Sequence, residues 1–430
     1  MSEKLNVLVV GQGGREHALV WKLRQSPRAG HIFCAPGNAG TATEGSNAPI
    51  EVGEFDKILR FVTKEKIHLV VIGPEAPLAE GLSDKLREVG IRVFGPSKAA
   101  AQIEASKVFA KRLMRHSDVP TAEFQIFDHP SQAKQWIETR DYSLVVKADG
   151  LAAGKGVIVC NSKEEAISAV DRIMIREEFG SAAGRQIVVE RRMDGPELSV
   201  LALVSGRSIA MLPPAQDYKR LSDGDKGPNT GGMGAYSPAD VVDAKAMQEV
   251  EEHVFVPTIH ALRRAKSPFR GVLFAGLMAT KRGPMVLEFN CRFGDPETQC
   301  ILMRLKTDLL DLIEAATDDS LAEFVDNGIE WDPRPAVTVV IASGGYPGPY
   351  TKGKIIDGLA DADAVPNVKV FHAGTKLEDG RIRTDGGRVL SVTALGDDLD
   401  QARANAYNAV AKIRFAGMTY RRDIALNVGS

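Results

Sequence analysis

VVKADGLAAGKGVIV, residues 145 to 159, sets two lysines, Lys147 and Lys155, among glycines and alanines between two apolar runs. Glycine with lysine points to phosphate, and the setting of the loop decides what kind of site it makes. A Walker loop needs four residues between its glycines, a Ser or Thr after the lysine, and a helix to follow. Here three residues separate Gly150 from Gly154, Gly156 follows Lys155, and both flanks, SLVVK and GVIVC, read as strands. The stretch is a glycine-rich hairpin tip, able to lay backbone N–H groups on phosphates and to close over a site. Taken alone, a flexible hairpin with solvated lysines competes with that reading.

Other segments supply what a phosphate flap needs. In MVLEFN (285–290), Glu288 and Asn290 lie two apart on a strand and share one face. A carboxylate beside an amide carbonyl offers hard oxygen ligands to Mg²⁺, which takes few protein ligands and completes its shell with water and phosphate. The following CRFGDPETQ is dense in charge and turn residues, which favours a site over a merely polar outer face. The polar segment 216–237 contains QDYKR and GPNTGGMGAY and reads as one long functional loop before a helix.

The first hundred residues alternate strand and helix: strands at LNVLVV, HIFCA, IHLVVIG and IRVFG, helices over 15–25, 54–66 and 78–89. That is a parallel βαβ domain whose loops, GQGGRE, APGNAGT, GPEAPL and GPSKA, gather at the carboxyl ends of the strands, where ligands bind. The cluster at Gly11 departs from the dinucleotide fingerprint, since Glu16 stands at its third glycine position and the second strand ends in Cys34-Ala35-Pro36. An anion site at the following helix N-terminus, with Arg15 and the loops of Asn38 and Glu75, fits better than NAD. Beyond WDPRPA (331–336) the pattern is mostly β, with an Asp379–Gly380 turn and a closing helix near 398–415.

The composition narrows the class. A net charge of −2 gives no field for coating nucleic acid or a membrane surface. There is no apolar run of membrane-spanning length and no secretory pattern at the start. The four cysteines, Cys34, Cys160, Cys291 and Cys300, form no C-x-x-C pair, so a cytoplasmic protein with reduced thiols is expected.

In order along the chain stand GGREHAL, APGNAGT, IGPEAPL, FGPSKAAAQIEASK, VVKADGLAAGKGV, QDYKR, GPNTGGMGAYSP, LEFNCRFGDPETQ, YPGPYTKG, FHAGT and GGRVLSVTALG. Together they closely resemble the phosphoribosylamine–glycine ligase (glycinamide ribonucleotide synthetase) family of the ATP-grasp superfamily. The hairpin is shared across ATP-grasp enzymes; GGREHA, GPNTGGMGAY and NCRFGDPETQ are far more specific. The resemblance implies an α/β protein in three parts: an N-terminal parallel βαβ (pre-ATP-grasp) domain over 1–104 that binds the phosphoribosyl substrate, an ATP-grasp domain over 105–330 with a small mobile lid subdomain at about 122–189, and a β-rich C-terminal domain over 331–430. The implied reaction joins glycine to 5-phosphoribosylamine with ATP, through glycyl phosphate, in de novo purine synthesis. The implied cofactors are ATP and Mg²⁺ (or Mn²⁺), the partners are small molecules, and a monomer is expected, with a weak oligomer as the alternative.

Residue by residue, the resemblance implies that Lys107 and Lys147 contact the nucleotide, that Gly150, Gly154, Lys155 and Gly156 form the flap, that Glu190 sits at the adenine hinge, and that Glu197 accepts from the ribose. Glu288 and Asn290 hold the metal, and Arg292 stabilises the transferring phosphate or the substrate carboxylate. Asp217, Lys219 and the loop Asn229, Thr230, Gly231, Gly232 and Met233 surround glycine and the amine; Gly13, Arg15, Asn38 and Glu75 hold the phosphoribosyl group. Two departures stand out. The hinge reads Glu190-Arg191-Arg192 and then Pro196-Glu197, and Tyr218 replaces the family's more frequent histidine, so that position carries no proton-transfer role. The alternatives are an ATP-grasp ligase for another acceptor and a nucleotide-binding protein without catalysis; the N-terminal and 229–234 blocks oppose the first, and retention of Glu288 with Asn290 opposes the second.

Overall fold

The computed structural model of the chain describes residues 4–151, 156–180 and 184–426. The apolar run at the start forms the strand Leu5–Gly11, the centre of a five-stranded parallel sheet ordered Ser46–Asn47, Ala29–Pro36, Leu5–Gly11, Leu69–Ile72, Arg92–Phe94. Strand order reverses direction between Leu5–Gly11 and Leu69–Ile72, so the loops after these two strands sit at the topological switch point. The expected helix over 78–89 is broken into Glu75–Glu80 and Leu82–Glu88, because Gly81 takes a left-handed conformation (φ +97°) that ends the first of them.

Two antiparallel four-stranded sheets follow. One is ordered Phe124–Phe127, Ile187–Arg191, Leu144–Ala148, Val157–Cys160 and contains the opening hairpin. The other is ordered Ser208–Met211, Glu197–Ser205, Arg270–Thr280, Gly283–Asn290 and carries Glu288 and Asn290 on its edge strand. Thr121 bridges the two, pairing with Val286 and donating from its hydroxyl to the Val286 carbonyl at 2.6 Å. The helix expected from Ser106 forms as Lys107–His116, capped by the Ser106 hydroxyl.

The segment 216–237, expected as one long loop, is mostly short strands. Gln216–Asp217 pairs with Gly234–Ser237, which pairs in turn with Ala336–Ser343 of the C-terminal sheet. Between them Arg220–Ser222 and Lys226–Asn229 make a small hairpin. Strands this short and glycine-rich carry no readable alternation, and the C-terminal partner of Gly234–Ser237 lies about a hundred residues away in sequence. The C-terminal sheet therefore starts with chain from the middle of the protein, and the GPNTGGMGAY turn is held against it.

Candidate active site

At the root of the hairpin, Lys147 and Glu190 project from neighbouring strands of the lid sheet into a nearly dry space. Lys147 reaches one Glu190 oxygen at 2.6 Å and Lys111 the other at 2.5 Å, with the three side chains 6 %, 2 % and 2 % exposed respectively. Lys147 also donates to the Leu287 carbonyl at 2.9 Å. Leu287 is the extra residue of a bulge against Gly276–Leu277, which turns that carbonyl toward the lid sheet. Burial pushes the Glu190 carboxyl up, but the two ammonium groups outweigh it and hold it below the usual carboxylate range. Burial and the neighbouring Lys147 outweigh Glu190 at Lys111, whose ammonium is pushed down to about 8.

Asp149, at the end of the same strand segment, accepts from the Ser106 hydroxyl at 2.9 Å and the Val108 amide at 3.0 Å, which fastens the hairpin to the start of the helix Lys107–His116. From that helix Lys107 donates to the Gly150 carbonyl at 3.3 Å. Gly150 has φ +119°, a conformation suited to glycine, and Gly156 closes the hairpin by accepting from the Ala148 amide at 2.8 Å. Gly154 and Lys155 lie outside the described residues.

Glu288 and Asn290 are half-buried while Phe289 between them is buried, the alternation expected of a strand. Opposite Glu288 on the neighbouring strand stands Gly276. Burial raises the Glu288 carboxyl, yet Lys219, Lys107, Lys147 and Arg292 together hold it below its ordinary range. Among the described residues no group of three or more His, Cys, Asp or Glu side chains makes a closed metal cage. An ionised carboxylate with an amide oxygen, ringed by lysines that also attract phosphate, is a donor set suited to Mg²⁺ that brings phosphate and water oxygens with it.

Beside this pair lie Asp217, Lys219 and Glu197. Lys219 reaches Glu197 Oε2 at 2.5 Å, and its ammonium is pushed up: burial opposes the charge, but Asp217, Glu197 and Glu288 surround it. Burial, with Glu297, Glu197 and Glu288 adding, pushes the Asp217 carboxyl up against the opposing pull of Lys219. Tyr218, between them, points elsewhere: its hydroxyl accepts from the Ala425 amide at 2.9 Å and its ring lies under Arg421. Of the hinge arginines, Arg191 stacks on Tyr142 and Arg192 donates to Asn161, so both are spent within the lid sheet.

Arg292 joins this region to the N-terminal loops. It donates to Glu75 at 3.2 Å, approaches Asn290 Oδ1 at 3.4 Å, and pairs with the buried Glu104 at 3.2 Å. Glu104 also accepts from the Cys291 amide at 2.7 Å. In the glycine loop, Glu16 accepts from the Gly13 amide at 2.5 Å and pairs with Arg15, whose other arm donates to the Phe293 carbonyl at 3.0 Å. A side chain at Gly11 or Gly73 would collide with Glu16, so those glycines make space for this carboxylate. Asn38 is fully occupied: its amide donates to the Gln12 and His372 carbonyls, and its oxygen accepts from the Gly40 and Thr41 amides. It shapes the loop and leaves no free polar atom for a ligand.

The third part of the chain, in which the sequence carries no legible chemistry, contributes two residues. Arg388 donates to the Gly231 carbonyl at 2.6 Å and the Asp295 carbonyl at 2.8 Å, and pairs with the Asp295 carboxylate at 3.2 Å. The Tyr346 hydroxyl accepts from the Gly231 amide at 2.9 Å. Within the same turn Asn229 is exposed, Thr230 donates to the Lys219 carbonyl at 2.9 Å, and Gly232 at φ +110° packs on Pro296. Met233 turns its side chain into the interior, fully buried, and its backbone is paired on both sides, the amide donating to the Tyr218 carbonyl at 2.8 Å and the carbonyl accepting from the Val340 amide at 3.0 Å, so it offers a ligand no free polar group.

Among the described residues the geometry brings together Lys107, Lys147, Glu190, Glu197, Asp217, Lys219, Glu288, Asn290 and Arg292, and adds Lys111, Glu104, Asp149, Asp295, Tyr346 and Arg388. Lys111 had a signal, being one helical turn after Lys107. Arg388 had none, because its partners are remote in sequence.

Comparison with known proteins agrees along the whole chain. Residues 5–104, 105–298 and 336–427 match, in order, the phosphoribosylglycinamide synthetase N domain, its ATP-grasp (A) domain and its C domain. A phosphoribosylamine–glycine ligase of Rhodopirellula baltica is 52% identical over 428 residues, covering 98% of this chain and 97% of that protein. One from Pseudomonas aeruginosa is 48% identical over 424 residues, covering 98% and 97%. The chain is also 50% identical over 421 residues to a Gallus gallus trifunctional purine biosynthetic protein, of which it spans 42%. The crystal structure of the Thermotoga maritima phosphoribosylamine–glycine ligase superposes with a TM-score of 0.83 at 36% identity, covering 98% of this chain and 100% of that one. A Campylobacter jejuni biotin carboxylase, described in complex with a β-γ-ATP compound, shares the fold at a TM-score of 0.75 and 14% identity, covering 99% of this chain and 94% of that one. The chain belongs to the phosphoribosylglycinamide synthetase family.

Proposed function

We infer that the chain is a carbon–nitrogen ligase of purine biosynthesis that joins glycine to 5-phosphoribosylamine, with ATP cleaved to ADP and phosphate. One observation carries the site assignment: the Arg292 guanidinium lies between Asn290, at the metal end, and Glu75, on the N-terminal loops. A nucleotide bound under the hairpin and an amine bound at the parallel sheet would meet at this side chain.

A carboxylate is a poor electrophile, so the reaction is split. An oxygen of glycine attacks the γ-phosphorus, ADP leaves, and the resulting glycyl phosphate is attacked at its carbonyl carbon by the ribosylamine nitrogen. The nitrogen gives up a proton, and phosphate departs with the former carboxylate oxygen. Such chemistry asks the protein for positioning and charge neutralisation rather than a covalent group. Lys107 and Lys147 hold the nucleotide phosphates, and Glu197 with the hinge after Glu190 holds its nucleoside. Glu288 and Asn290 would hold Mg²⁺, which when bound neutralises phosphate charge. Asp217, between Lys219 and further carboxylates, receives the glycine ammonium group, and Arg292 faces the transferring phosphate. Arg15 and Glu75 hold the phosphoribosyl end. The hairpin from Gly150 to Gly156 excludes water, which would otherwise hydrolyse the acyl phosphate.

No helix among the described residues is long and apolar enough to cross a membrane, and the four cysteines are buried free thiols. Free thiols go with a reducing compartment such as the cytoplasm. The mechanism is tested by supplying glycine labelled with ¹⁸O in its carboxylate. The label is expected in product phosphate; label in AMP, or none transferred at all, would overturn the acyl phosphate route.

A further inference from the structure

We propose that Lys111 is a positioning residue for ATP: by sharing the Glu190 carboxylate, it keeps Lys147 free to serve the nucleotide phosphates. The inference rests on the ATP site assigned above and adds a residue that touches no substrate.

The argument starts from charge. Lys111, Glu190 and Lys147 form a buried row of two cations about one anion, carrying a net single positive charge. Lys147 has three N–H bonds; among the described residues Glu190 and the Leu287 carbonyl take two, leaving one for a ligand. The bulge at Leu287 matters because it turns a carbonyl toward Lys147 one residue before Glu288. Lys111 sits on the far side of Glu190, with Thr121 accepting from it at 2.6 Å and Phe124 beneath its ammonium. Thr121 in turn donates to Val286, so the row is pinned to both sides of the bulge. Lys111 is one turn beyond Lys107 on the same helix, yet Lys107 is half-exposed toward the hairpin and Lys111 fully enclosed. An enclosed ammonium facing no substrate must be explained by its partner, and that partner is the carboxylate shared with Lys147.

Removing Lys111 leaves Glu190 with one cation, which it draws onto both its oxygens and away from the phosphates. Lys111→Met should therefore weaken binding of Mg-ATP, measured by calorimetry on the whole protein, about tenfold or more, while KM for glycine changes less than twofold. A purely structural role predicts something different, and a double-mutant cycle separates the two. In a Glu190→Gln background nothing remains for Lys111 to share, so adding Lys111→Met should alter Mg-ATP affinity less than twofold. This comparison stands even if Lys111→Met alone does not fold. Thr121→Val, which removes a partner of Lys111 without changing charge, should keep affinity within twofold while lowering the melting temperature. A Lys111→Met protein that folds and binds Mg-ATP as the parent does, or an equal loss in both backgrounds, would overturn the proposal. If the parent itself bound no Mg-ATP, the ATP site would fail instead, which is a separate result.

Discussion

Arg292 donates to Glu75 at 3.2 Å across 217 residues of sequence, and so ties the strand that ends in Glu288 and Asn290 to the carboxyl edge of the parallel sheet. The pair is half-buried, and Arg292 and Arg15 hold the Glu75 carboxyl below its usual range against the upward push of burial. In the proposed function, phosphate transfer and amine delivery would meet across this contact.

Glu75→Gln tests that link. Glu104 still anchors Arg292 in the variant, so the metal end should survive. Steady-state kinetics should show kcat/KM for phosphoribosylamine falling about tenfold, roughly 1.4 kcal/mol of lost transition-state stabilisation, with KM for ATP little changed. An unchanged amine constant would separate Glu75 from the substrate.

Glu288→Gln removes charge from the metal pair but no core packing. Turnover should drop about 10²–10³-fold, as when an electrostatic stabiliser is lost from an active site. The melting temperature should stay close to that of the parent. Near-normal turnover would mean that the strand pair does not hold the metal.

Arg388→Met should detach the 229–233 turn from Asp295. The side chain is only partly exposed and binds two carbonyls as well as a carboxylate, so a stability loss of about 1–3 kcal/mol is expected. The diagnostic reading is kinetic: KM for glycine or for the amine rises, while ATP binding does not.

Acid should loosen the contact between the first and third parts. His17 and His372 are both buried there; the His372 amide donates to His17 Nδ1 at 2.7 Å. Burial pushes His372 down to about 4 and His17 well below its ordinary value. A histidine whose folded pKa lies below its unfolded one stabilises the protein fully only above the unfolded value, near 6.5. That stability is lost as pH falls from about 6.5 toward 4, at up to about 1.4 kcal/mol per pH unit for each histidine. Melting temperature measured from pH 7.5 to 4.5 should fall, and less steeply in His372→Gln; parallel curves would contradict this.

Much of this was legible because the chemistry is local in sequence. Lys147 and the hairpin glycines lie on one segment, Glu288 and Asn290 on another, and each segment has a strand's own periodicity. Four strands of the parallel sheet were readable as apolar runs; the fifth, Ser46–Asn47, is two polar residues and gave no such signal. What escaped reading depends on distant pairing. Gly234–Ser237 pairs with Ala336–Ser343 and carries Gln216–Asp217 on its other edge, a pairing set by chain about a hundred residues away. Glu104 and Arg388 look like ordinary surface charges until the fold encloses them. Asn38 shows the reverse, a loop residue with a ligand's chemistry whose polar atoms are all taken by backbone.

The central claim is tested most directly by following ADP in the presence of Mg-ATP, glycine and freshly generated phosphoribosylamine. ADP release that requires both glycine and the amine, with glycinamide ribonucleotide formed in equal amount, is the predicted result. ADP release indifferent to either substrate, or AMP in its place, would contradict it.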